Sequence, residues 1–409
     1  AANHSEACAV AGAMRSLLAL LCGAASLATA SSSSHLKTSG TPPTTPTAGR
    51  KDPGKVPIID IGPLFDYDDP ARAATVKEIG EACAKWGFFQ VTNHGMVAEV
   101  EADFCEQMKA FFALPLENKH KVKRTQTNSR GFADDELTKQ KQDWKQLFDL
   151  GHVPDRTKPS SDPANLVMDG YNQWPSSDLP RFEEAMMTYY DACERISIAL
   201  MEAIAESLNL PREAFSSNFK PHTSYLRLNW YPLCPEAGDG STLGISRHTD
   251  AGALTVLRQD VVAGLEVYSG SKQDNDDGQW VGVEPVLGAM TINIGDMLQV
   301  WTNGVYAAPE HRVRANKQQE RYSAPFFYNP AYDAMIAPQV AGLDAAVSSH
   351  HADGTTRYQV INWGYFRGQR FAGDFSDVGK EIQIEDYLRG SEGVHYHRQR
   401  EELEAQGGH

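Results

Sequence analysis

The sequence predicts an α+β fold, with a mostly helical N-terminal region followed by a β-barrel or β-sandwich. The chain has 409 residues, of which 41% are apolar and 22% charged, a composition typical of globular proteins. Before residue 211, apolar residues recur every three to four positions in several segments, which indicates amphipathic helices. After Pro221 the period changes to two, and short runs bounded by Gly, Pro, Asn and Asp continue to about Pro330. These runs indicate a succession of strands.

The first fifty residues have the composition of a targeting segment. From Met14 the chain runs MRSLLALLCGAASLATAS, with one basic residue, a short apolar stretch and an A-x-A at Ala28 to Ala30. This pattern is typical of a secretory signal peptide, and the Ser/Thr/Pro-rich stretch 31–47 that follows is equally typical of an organelle transit peptide. A low-complexity tail ahead of a cytoplasmic protein is the alternative. The apolar stretch is too short for a membrane-spanning helix.

From Val56 onward, strands and helices are predicted to alternate. The run VPIIDIGPLF (56–65) predicts an opening strand that ends at Gly62-Pro63, and FFQV (88–91) predicts a buried strand. One helix precedes Gly87, and a second covers 97–112 before Pro115. The longest helix is predicted within 181–210, and its apolar stripe consists of Phe182, Met186, Tyr189, Cys193, Ile196, Leu200 and Ile204. In the β-rich part, the polar stretch 269–279 predicts a hairpin loop.

Charge and cysteine content exclude several classes of function. The formal net charge is −15, and residues 51–409 carry 35 basic against 52 acidic side chains. A surface this acidic repels phosphate backbones and anionic lipids, so nucleic-acid binding and stable membrane association are not expected. The six cysteines form no C-x-x-C pair, so neither a zinc ribbon nor a disulfide framework is indicated.

Three pairs of polar residues at positions i and i+2 point to a site in the β-rich part. Residues two apart on a strand share one face, so each pair could face the interior of one barrel. Buried groups that coordinate or ionise need partners, and three such pairs therefore indicate a functional site. The pairs are Asn229 with Tyr231, His248 with Asp250, and Arg321 with Ser323.

Order and context distinguish these pairs from chance matches. H-x-D occurs again at His351 and Asp353, and R-x-S occurs again at 195–197 and 389–391. Only the first H-x-D lies in a strand-like run, ISRHTDAGALTVL. A further histidine, His311, follows Asp250 by 61 residues, and Arg321 follows His311 by ten.

Two imidazoles and one carboxylate form the facial triad of non-haem Fe(II) oxygenases, although the ligand types alone leave zinc possible. A bound 2-oxo acid with a second carboxylate would need a cationic partner. Arg321 could supply a planar, charged fork, and Ser323 a hydroxyl on the same face.

These motifs resemble those of the 2-oxoglutarate- and Fe(II)-dependent dioxygenases of the isopenicillin-N-synthase-like superfamily, from about Val56 to Leu388. The matching segments are VPIIDIGPL, WGFFQVTNHG, LNWYPLCP, HTD, NIGDMLQVWTNG, PEHRV and RYSAPFFYNP. The resemblance implies a double-stranded β-helix, or jelly roll, flanked by helices. It also implies an N-terminal helical and strand region at 51–215, the core with its C-terminal cover at 216–390, and a polar tail at 391–409.

The resemblance assigns roles residue by residue. His248, Asp250 and His311 would bind iron, and Arg321 and Ser323 would hold the distal carboxylate of 2-oxoglutarate. Tyr231 would lie beside that carboxylate, Asn229 near the metal-bound end, and Phe327 on the substrate side. Many relatives have Pro or Gly where this chain has Arg247, and strand alternation predicts that Arg247 faces away from the metal.

The implied function is oxidation of a small organic metabolite, by hydroxylation or desaturation, with release of succinate and CO2. The implied cofactors are Fe(II), 2-oxoglutarate and O2, with ascorbate as an accessory reductant, and a monomer is expected. Two alternatives remain at this point: an Fe(II) oxidase of the same fold that does not use 2-oxoglutarate, as in isopenicillin N synthase or aminocyclopropane-carboxylate oxidase, and a non-catalytic jelly-roll binding protein.

Overall fold

The computed structural model describes residues 54–125, 128–138, 141–151, 170–235, 242–270, 278–339, 356–375 and 382–390. The predicted targeting segment, the tail 391–409 and the second H-x-D therefore lie outside the described residues. Six α-helices occur in the described part: α1 (Arg72–Lys85), α2 (Ala98–Ala113), α3 (Leu116–His120), α4 (Phe182–Ser207), α5 (Asp296–Trp301) and α6 (Trp363–Phe375). Short 3-10 helices lie at Gly62–Phe65, Ser216–Phe219 and Ile384–Tyr387.

Sixteen strands are present in the same ranges. They are β1 (Ile58–Asp60), β2 (Phe88–Thr92), β3 (Gly131–Ala133), β4 (Leu137–Thr138), β5 (Lys141–Gln142), β6 (Gln146–Gly151), β7 (Tyr225–Tyr231), β8 (Leu243–His248), β9 (Leu254–Gln259), β10 (Leu265–Tyr268), β11 (Trp280–Gly282), β12 (Met290–Ile294), β13 (His311–Arg314), β14 (Arg321–Tyr328), β15 (Met335–Ile336) and β16 (Ile361–Asn362).

Two sheets form the β-rich core. The large sheet has the order β1-β2-β12-β9-β14-β7-β6-β3, and the small sheet has the order β11-β10-β13-β8. Between β7 and β14 the chain passes repeatedly from one sheet to the other, with β10 and β11 as a hairpin within the small sheet, and this jelly-roll arrangement confirms the predicted fold class. The short helix α5 and strands β3 to β6 have no counterpart among the predicted elements. Strand β6 is buried along nearly its whole length, so it lacks the alternation by which a half-exposed strand is recognised.

Helix α4 is the scaffold on which the large sheet rests. All seven residues of its predicted apolar stripe are buried. The helix packs against α1 and α2 on one side and against β9 and β14 on the other. Its Tyr189 ring stacks on Phe104 of α2 with the ring centroids 3.7 Å apart. Burial of this stripe fixes the position of β9 and β14, two strands of the large sheet that border the site.

The turn between α1 and β2 depends on a glycine. Gly87 has φ of +59°, and a Cβ there would lie 2.6 Å from the carbonyl oxygen of Ala307 and 2.9 Å from Pro309 Cδ. Since backbone cannot move aside as a flexible side chain can, no other residue fits without displacing the segment that leads into β13. The glycine that the sequence predicts to end α1 therefore also positions the start of β13.

Gly87→Ala is expected to lower the free energy of unfolding by about 3 kcal/mol, through positive-φ strain and steric overlap together. The matched control is Gly288→Ala, because Gly288 also has positive φ (+72°) but a Cβ added there would meet no described atom within 4 Å. It should cost only about 1 kcal/mol. Urea denaturation of both variants measures the difference, and equal losses would contradict the steric argument.

Candidate metal and co-substrate site

The side chains of His248, Asp250 and His311 converge at the edge of the small sheet. Their ligand atoms all lie within 4.8 Å of one another, and Asp250 Oδ1 is 3.6 Å from Nε2 of each histidine. Register explains the meeting of the histidines, since His248 at the end of β8 lies opposite His311 at the start of β13. Asp250 is not on the strand as predicted: β8 ends at His248, and Asp250 lies in the turn that follows.

Hydrogen bonds fix which nitrogen of each histidine faces the centre. The Nδ1 of His248 is 2.8 Å from the carbonyl oxygen of Ser246, and that of His311 is 3.2 Å from the carbonyl oxygen of Pro309. A carbonyl can only accept, so Nδ1 carries the proton in both rings and Nε2 presents its lone pair. Burial, assisted by repulsion from His248, lowers the pKa of His311 to about 4. A neutral imidazole is the form that binds a metal.

The carboxylate of Asp250 is held from the large sheet. Its Oδ2 accepts hydrogen bonds from Thr255 Oγ1 of β9 at 2.5 Å and from Asn293 Nδ2 of β12 at 2.8 Å. Burial alone would raise its pKa, but the neighbouring imidazoles of His311 and His248 and the hydrogen bond from Asn293 hold the pKa well below the usual range. Asp250 is thus ionised, with Oδ1 directed at the histidines. Two neutral imidazoles and one carboxylate are a donor set that fits Fe(II).

Sequence reasoning did not identify Thr255 and Asn293 as partners of Asp250. Asn293 was detectable, because it is the one amide in the buried strand MTINI and a buried amide requires a partner. The sequence does not reveal which partner, since Asp250 is 43 residues away.

A second group of predicted residues lies across β7 and β14. Strand pairing places Tyr231 opposite Arg321 and Asn229 opposite Ser323. Asn229 Nδ2 is 3.5 Å from Ser323 Oγ, at the limit of a hydrogen bond, and the Arg321 guanidinium lies 5.1 Å from the centroid of the Tyr231 ring. The structure therefore brings these four residues together as predicted.

Arg321 is a buried cation whose hydrogen bonds within the described residues go to neutral groups. It is 2% exposed, and it donates from Nε to the carbonyl oxygen of Val262 and from Nη2 to Gln259 Oε1. Its Nη1 and the Oδ1 of Asn229 are both buried and find no hydrogen-bond partner in the described part of the chain. A buried guanidinium is costly unless an anion compensates it. The arrangement therefore fits a carboxylate ligand such as 2-oxoglutarate.

A cavity of about 140 Å³ opens beside these residues. Of the predicted site residues, Asn229, His248, Asp250 and Phe327 line it, whereas His311, Tyr231, Arg321 and Ser323 do not. The Phe327 ring stacks on Tyr225 with the centroids 4.6 Å apart, and Trp363 and Phe371 of α6 complete the aromatic wall. The cavity thus has a polar end at the candidate metal site and an aromatic wall, and charged residues including Glu136, Lys145 and Arg227 line the rest of it.

The described residues of the two alternative R-x-S matches are not part of the site. Ser197 of the first R-x-S lies within α4, where its Oγ donates to the carbonyl oxygen of Cys193. Arg389 of the second donates to Thr356 Oγ1. As predicted, Arg247 faces away from the candidate metal site, where its guanidinium forms an ion pair with Glu310, the residue before His311. This pair joins β8 to β13 beside both histidines.

Two family models match the chain. Residues 56–177 match a model described as non-haem dioxygenase in morphine synthesis N-terminal, and residues 222–330 match the 2OG-Fe(II) oxygenase superfamily. Gibberellin 20 oxidase 1-B from Triticum aestivum is 36% identical over 304 residues, which cover 74% of this chain and 79% of that protein. Gibberellin 2-beta-dioxygenase 8 from Arabidopsis thaliana is 32% identical, with 69% of this chain and 76% of that protein covered.

Solved structures give the same result. A full-length protein from Neurospora crassa, in complex with alpha-KG and 5-formyluracil, superposes with a TM-score of 0.65 at 25% identity, covering 81% of this chain and all of that one. JOX2 in complex with 2OG, Fe and JA superposes with a TM-score of 0.64 at 27% identity, covering 82% of this chain and 89% of that one. Among the described residues, no helix has the length and apolar character needed to cross a membrane.

Thr255→Val removes one of the two hydrogen bonds to Asp250 Oδ2 while preserving side-chain volume. Iron affinity is expected to fall about tenfold or more, the usual effect of losing a group that orients a ligand. Anaerobic Fe(II) titration measures it. The matched control is Thr188→Val, which removes a hydroxyl on α4 that donates to the carbonyl oxygen of Glu184, and which should leave iron affinity unchanged. Equal affinity in both variants would contradict the role of Thr255.

Proposed function

The chain belongs to the 2OG-Fe(II) oxygenase superfamily, and from that premise we propose how its residues divide the work of an Fe(II)- and 2-oxoglutarate-dependent dioxygenase. The protein is an oxidoreductase that uses Fe(II), 2-oxoglutarate and O2 to oxidise a small organic molecule. The alternative of an oxidase that does not use 2-oxoglutarate does not hold, since the matched relatives are 2-oxoglutarate-dependent dioxygenases. The alternative of a non-catalytic jelly-roll binding protein does not hold either, since these relatives are enzymes.

We assign iron binding to His248 Nε2, His311 Nε2 and Asp250 Oδ1. The supporting observations are the convergence of these three atoms and the hydrogen bonds that fix both histidine tautomers. Three protein ligands on one side of a metal leave its other positions for co-substrates. When bound, iron and 2-oxoglutarate supply the oxidising power: one oxygen atom of O2 enters succinate, CO2 is released, and the other atom is available for the substrate.

The observation that carries the assignment of the co-substrate is the buried guanidinium of Arg321, whose Nη1 has no partner among the described residues. We assign to Arg321 and Ser323 the distal carboxylate of 2-oxoglutarate, with Tyr231 beside it and Asn229 toward the metal. The planar fork of an arginine matches a carboxylate in two parallel hydrogen bonds, and the low dielectric of a buried site strengthens them. Gln259 and Val262 hold the fork in place.

The aromatic side of the cavity is assigned to the organic substrate. Tyr225 and Phe327 present stacked rings there, and these can pack against a carbon skeleton and exclude water. The proposed site takes its iron, co-substrate and substrate residues from one chain and needs no residue from a second subunit. The outcome at the substrate is hydroxylation of a C–H bond, or desaturation by removal of one hydrogen from each of two adjacent carbons.

The iron assignment predicts that His248→Ala, Asp250→Ala and His311→Ala each lose stoichiometric Fe(II) binding and turnover while remaining folded, because each removes one bond to the metal. Metal analysis, circular dichroism and succinate release from 2-oxoglutarate measure the three properties. Asp178→Ala is the matched control, since that carboxylate accepts hydrogen bonds from Asn118 and Ser177 in the helical region and lies outside the cavity. Normal iron content and full activity in Asp250→Ala would refute the assignment.

The co-substrate assignment predicts that Arg321→Ala weakens 2-oxoglutarate binding by about 2–4 kcal/mol, the range expected when a buried carboxylate loses its partner. Arg321→Lys should recover only part, because an ammonium lacks the planar fork, and Ser323→Ala should cost about 1 kcal/mol. Arg258→Ala is the control, since Arg258 lies on β9 but pairs with Glu101. Anaerobic titration of 2-oxoglutarate into the iron-loaded protein measures these losses, and undiminished affinity in Arg321→Ala would overturn the assignment.

A further inference from the structure

Gln259 lies in the same row of the large sheet as the residues assigned to the co-substrate. It is the last residue of β9, and strand pairing places it opposite Ser323 of β14, which also lies opposite Asn229 of β7. Residues directly opposite each other on neighbouring strands point to the same face of the sheet. Gln259 therefore faces the interior of the jelly roll beside the proposed binding site of 2-oxoglutarate, although the sequence motifs do not include it.

Two donors of Arg321 are bound by protein acceptors at the end of β9. Gln259 Oε1 accepts from Nη2 at 2.9 Å, and the carbonyl oxygen of Val262 accepts from Nε at 3.2 Å. The turn that presents Val262 is itself fixed, because the carboxylate of Asp260 accepts from the backbone N–H groups of Val262 and Tyr322. A guanidinium has five N–H donors, so the two on Nη1 and one on Nη2 are left for a ligand.

Arg321 and Thr291 together fix the orientation of the Gln259 amide. A guanidinium only donates hydrogen bonds, so Gln259 must turn its Oε1 toward Arg321. At the other end of the amide, Nε2 donates to Oγ1 of Thr291, a buried residue of β12, at 3.0 Å. Because each end of the amide has a partner, the oxygen that holds Arg321 is positioned before any ligand binds.

The same faces of β9 and β12 also hold the carboxylate of Asp250. Thr255 precedes Gln259 by four residues on β9, and Asn293 follows Thr291 by two residues on β12, so each pair shares one face of its strand. Thr255 and Asn293 donate to Asp250 Oδ2. One pair of adjacent strands therefore supports both the candidate metal carboxylate and the arginine assigned to the co-substrate.

The residue at position 259 is neutral, and this determines what Arg321 can bind. Two other buried arginines are paired with carboxylates, Arg227 with Asp149 and Arg124 with Glu136. Arg321, in contrast, has neutral acceptors in the described part of the chain. A glutamine holds a guanidinium without neutralising it, whereas a glutamate in the same place would form an ion pair and compete with the carboxylate of a ligand.

We propose that Gln259 is a positioning residue that makes the site selective for 2-oxo acids with a second carboxylate. It holds the fork of Arg321 in the orientation that receives the distal carboxylate, and it leaves the charge of the fork for that carboxylate. Thr291 supports this role by holding the other end of the amide. The inference rests on the proposed function and adds to it the residues that determine co-substrate selectivity.

The test compares 2-oxoglutarate with 2-oxopentanoate, a five-carbon 2-oxo acid in which a methyl group replaces the distal carboxylate. Both probes present the same 2-oxo carboxylate to iron. Each is titrated anaerobically into the full-length protein loaded with Fe(II), and binding is followed by the charge-transfer absorption of the complex of Fe(II) with the 2-oxo acid. The ratio of the two dissociation constants measures recognition of the distal carboxylate, because the contribution of the chelating end cancels.

The wild-type protein is expected to bind 2-oxoglutarate at least about tenfold more tightly than 2-oxopentanoate, as charge-assisted hydrogen bonds imply. Gln259→Glu should weaken 2-oxoglutarate binding about tenfold or more, because its carboxylate occupies Arg321. The affinities for 2-oxopentanoate and for Fe(II) should stay within about twofold of the wild-type values, since neither depends on Arg321. Thr291→Val should weaken 2-oxoglutarate binding alone, by about threefold, and Thr291→Ser should restore it because serine keeps the hydroxyl.

Gln146→Glu is the matched control, because it makes the same change beside another buried cation. Gln146 Oε1 accepts from Lys119 Nζ at 2.8 Å, and neither residue lines the cavity. This variant should keep the wild-type ratio of dissociation constants.

An unchanged ratio in Gln259→Glu would overturn the inference, and so would an equal loss of affinity for both probes, which indicates general damage to the site. If Gln259→Glu does not fold, Thr291→Val and Thr291→Ser decide, and equal ratios in these two variants would overturn it. A ratio lowered as much in Gln146→Glu would refute a specific role of Gln259. The proposed function fails in a different way: the wild-type protein would then show no charge-transfer absorption with 2-oxoglutarate, or no preference for it, and the inference would fall with it.

Discussion

The carboxylate of Asp250 is the point at which the two sheets of the jelly roll depend on each other. Its Oδ1 faces His248 and His311, which lie at the edge of the small sheet, and its Oδ2 is held by residues of β9 and β12 in the large sheet. A main-chain hydrogen bond adds to this link, since the carbonyl oxygen of Asp250 accepts a hydrogen bond from the backbone N–H of Asp296 at the start of α5. A displacement of one sheet against the other would separate the carboxylate from the histidines. The candidate metal site is therefore a product of sheet packing and does not exist in either sheet alone.

The burial of Arg321 lowers the stability of the fold but prepares the site for a ligand. Burying a guanidinium among neutral acceptors costs free energy that the fold must supply elsewhere. The large sheet supplies it through a continuous apolar face packed on α4, whose stripe is wholly buried. In return, the cation is fixed in orientation before any ligand arrives, and binding a carboxylate then requires little reorganisation. The Nη1 that lacks a partner among the described residues is thus understandable as a group whose partner is the ligand.

The parts of this structure that sequence could predict are those that local spacing encodes. The stripe of α4 follows from a period of 3.6. The shared face of Asn229 with Tyr231, and of Arg321 with Ser323, follows from the alternation of side chains along a strand, whereas the register that places Asn229 opposite Ser323 is evident only from the structure. Strand β6 escapes prediction because it is buried along nearly its whole length and shows no alternation. Even its one charged residue, Asp149, is buried against Arg227, 78 positions later in the chain. Strand alternation puts Asp250 on a strand that in fact ends two residues before it, since the exact end of a strand depends on its partner.

The metal end and the substrate end of the cavity also differ in whether local sequence or contacts between distant residues define them. The candidate metal and co-substrate residues come from β7, β8, β13 and β14 and their turns, where short motifs carry the information. The substrate half combines α6 with the segment around β4 to β6, and its charges are neutralised by partners that lie far away in sequence. No local motif can encode such a network, because each charge is stable only in the presence of the others. Its composition, with Arg227 paired to both Asp149 and Glu136, is accordingly evident only from the folded chain. This physical difference explains how one motif-defined oxidising centre can serve unrelated substrates: the centre is encoded locally, whereas the selectivity is encoded by contacts between distant parts of the sequence.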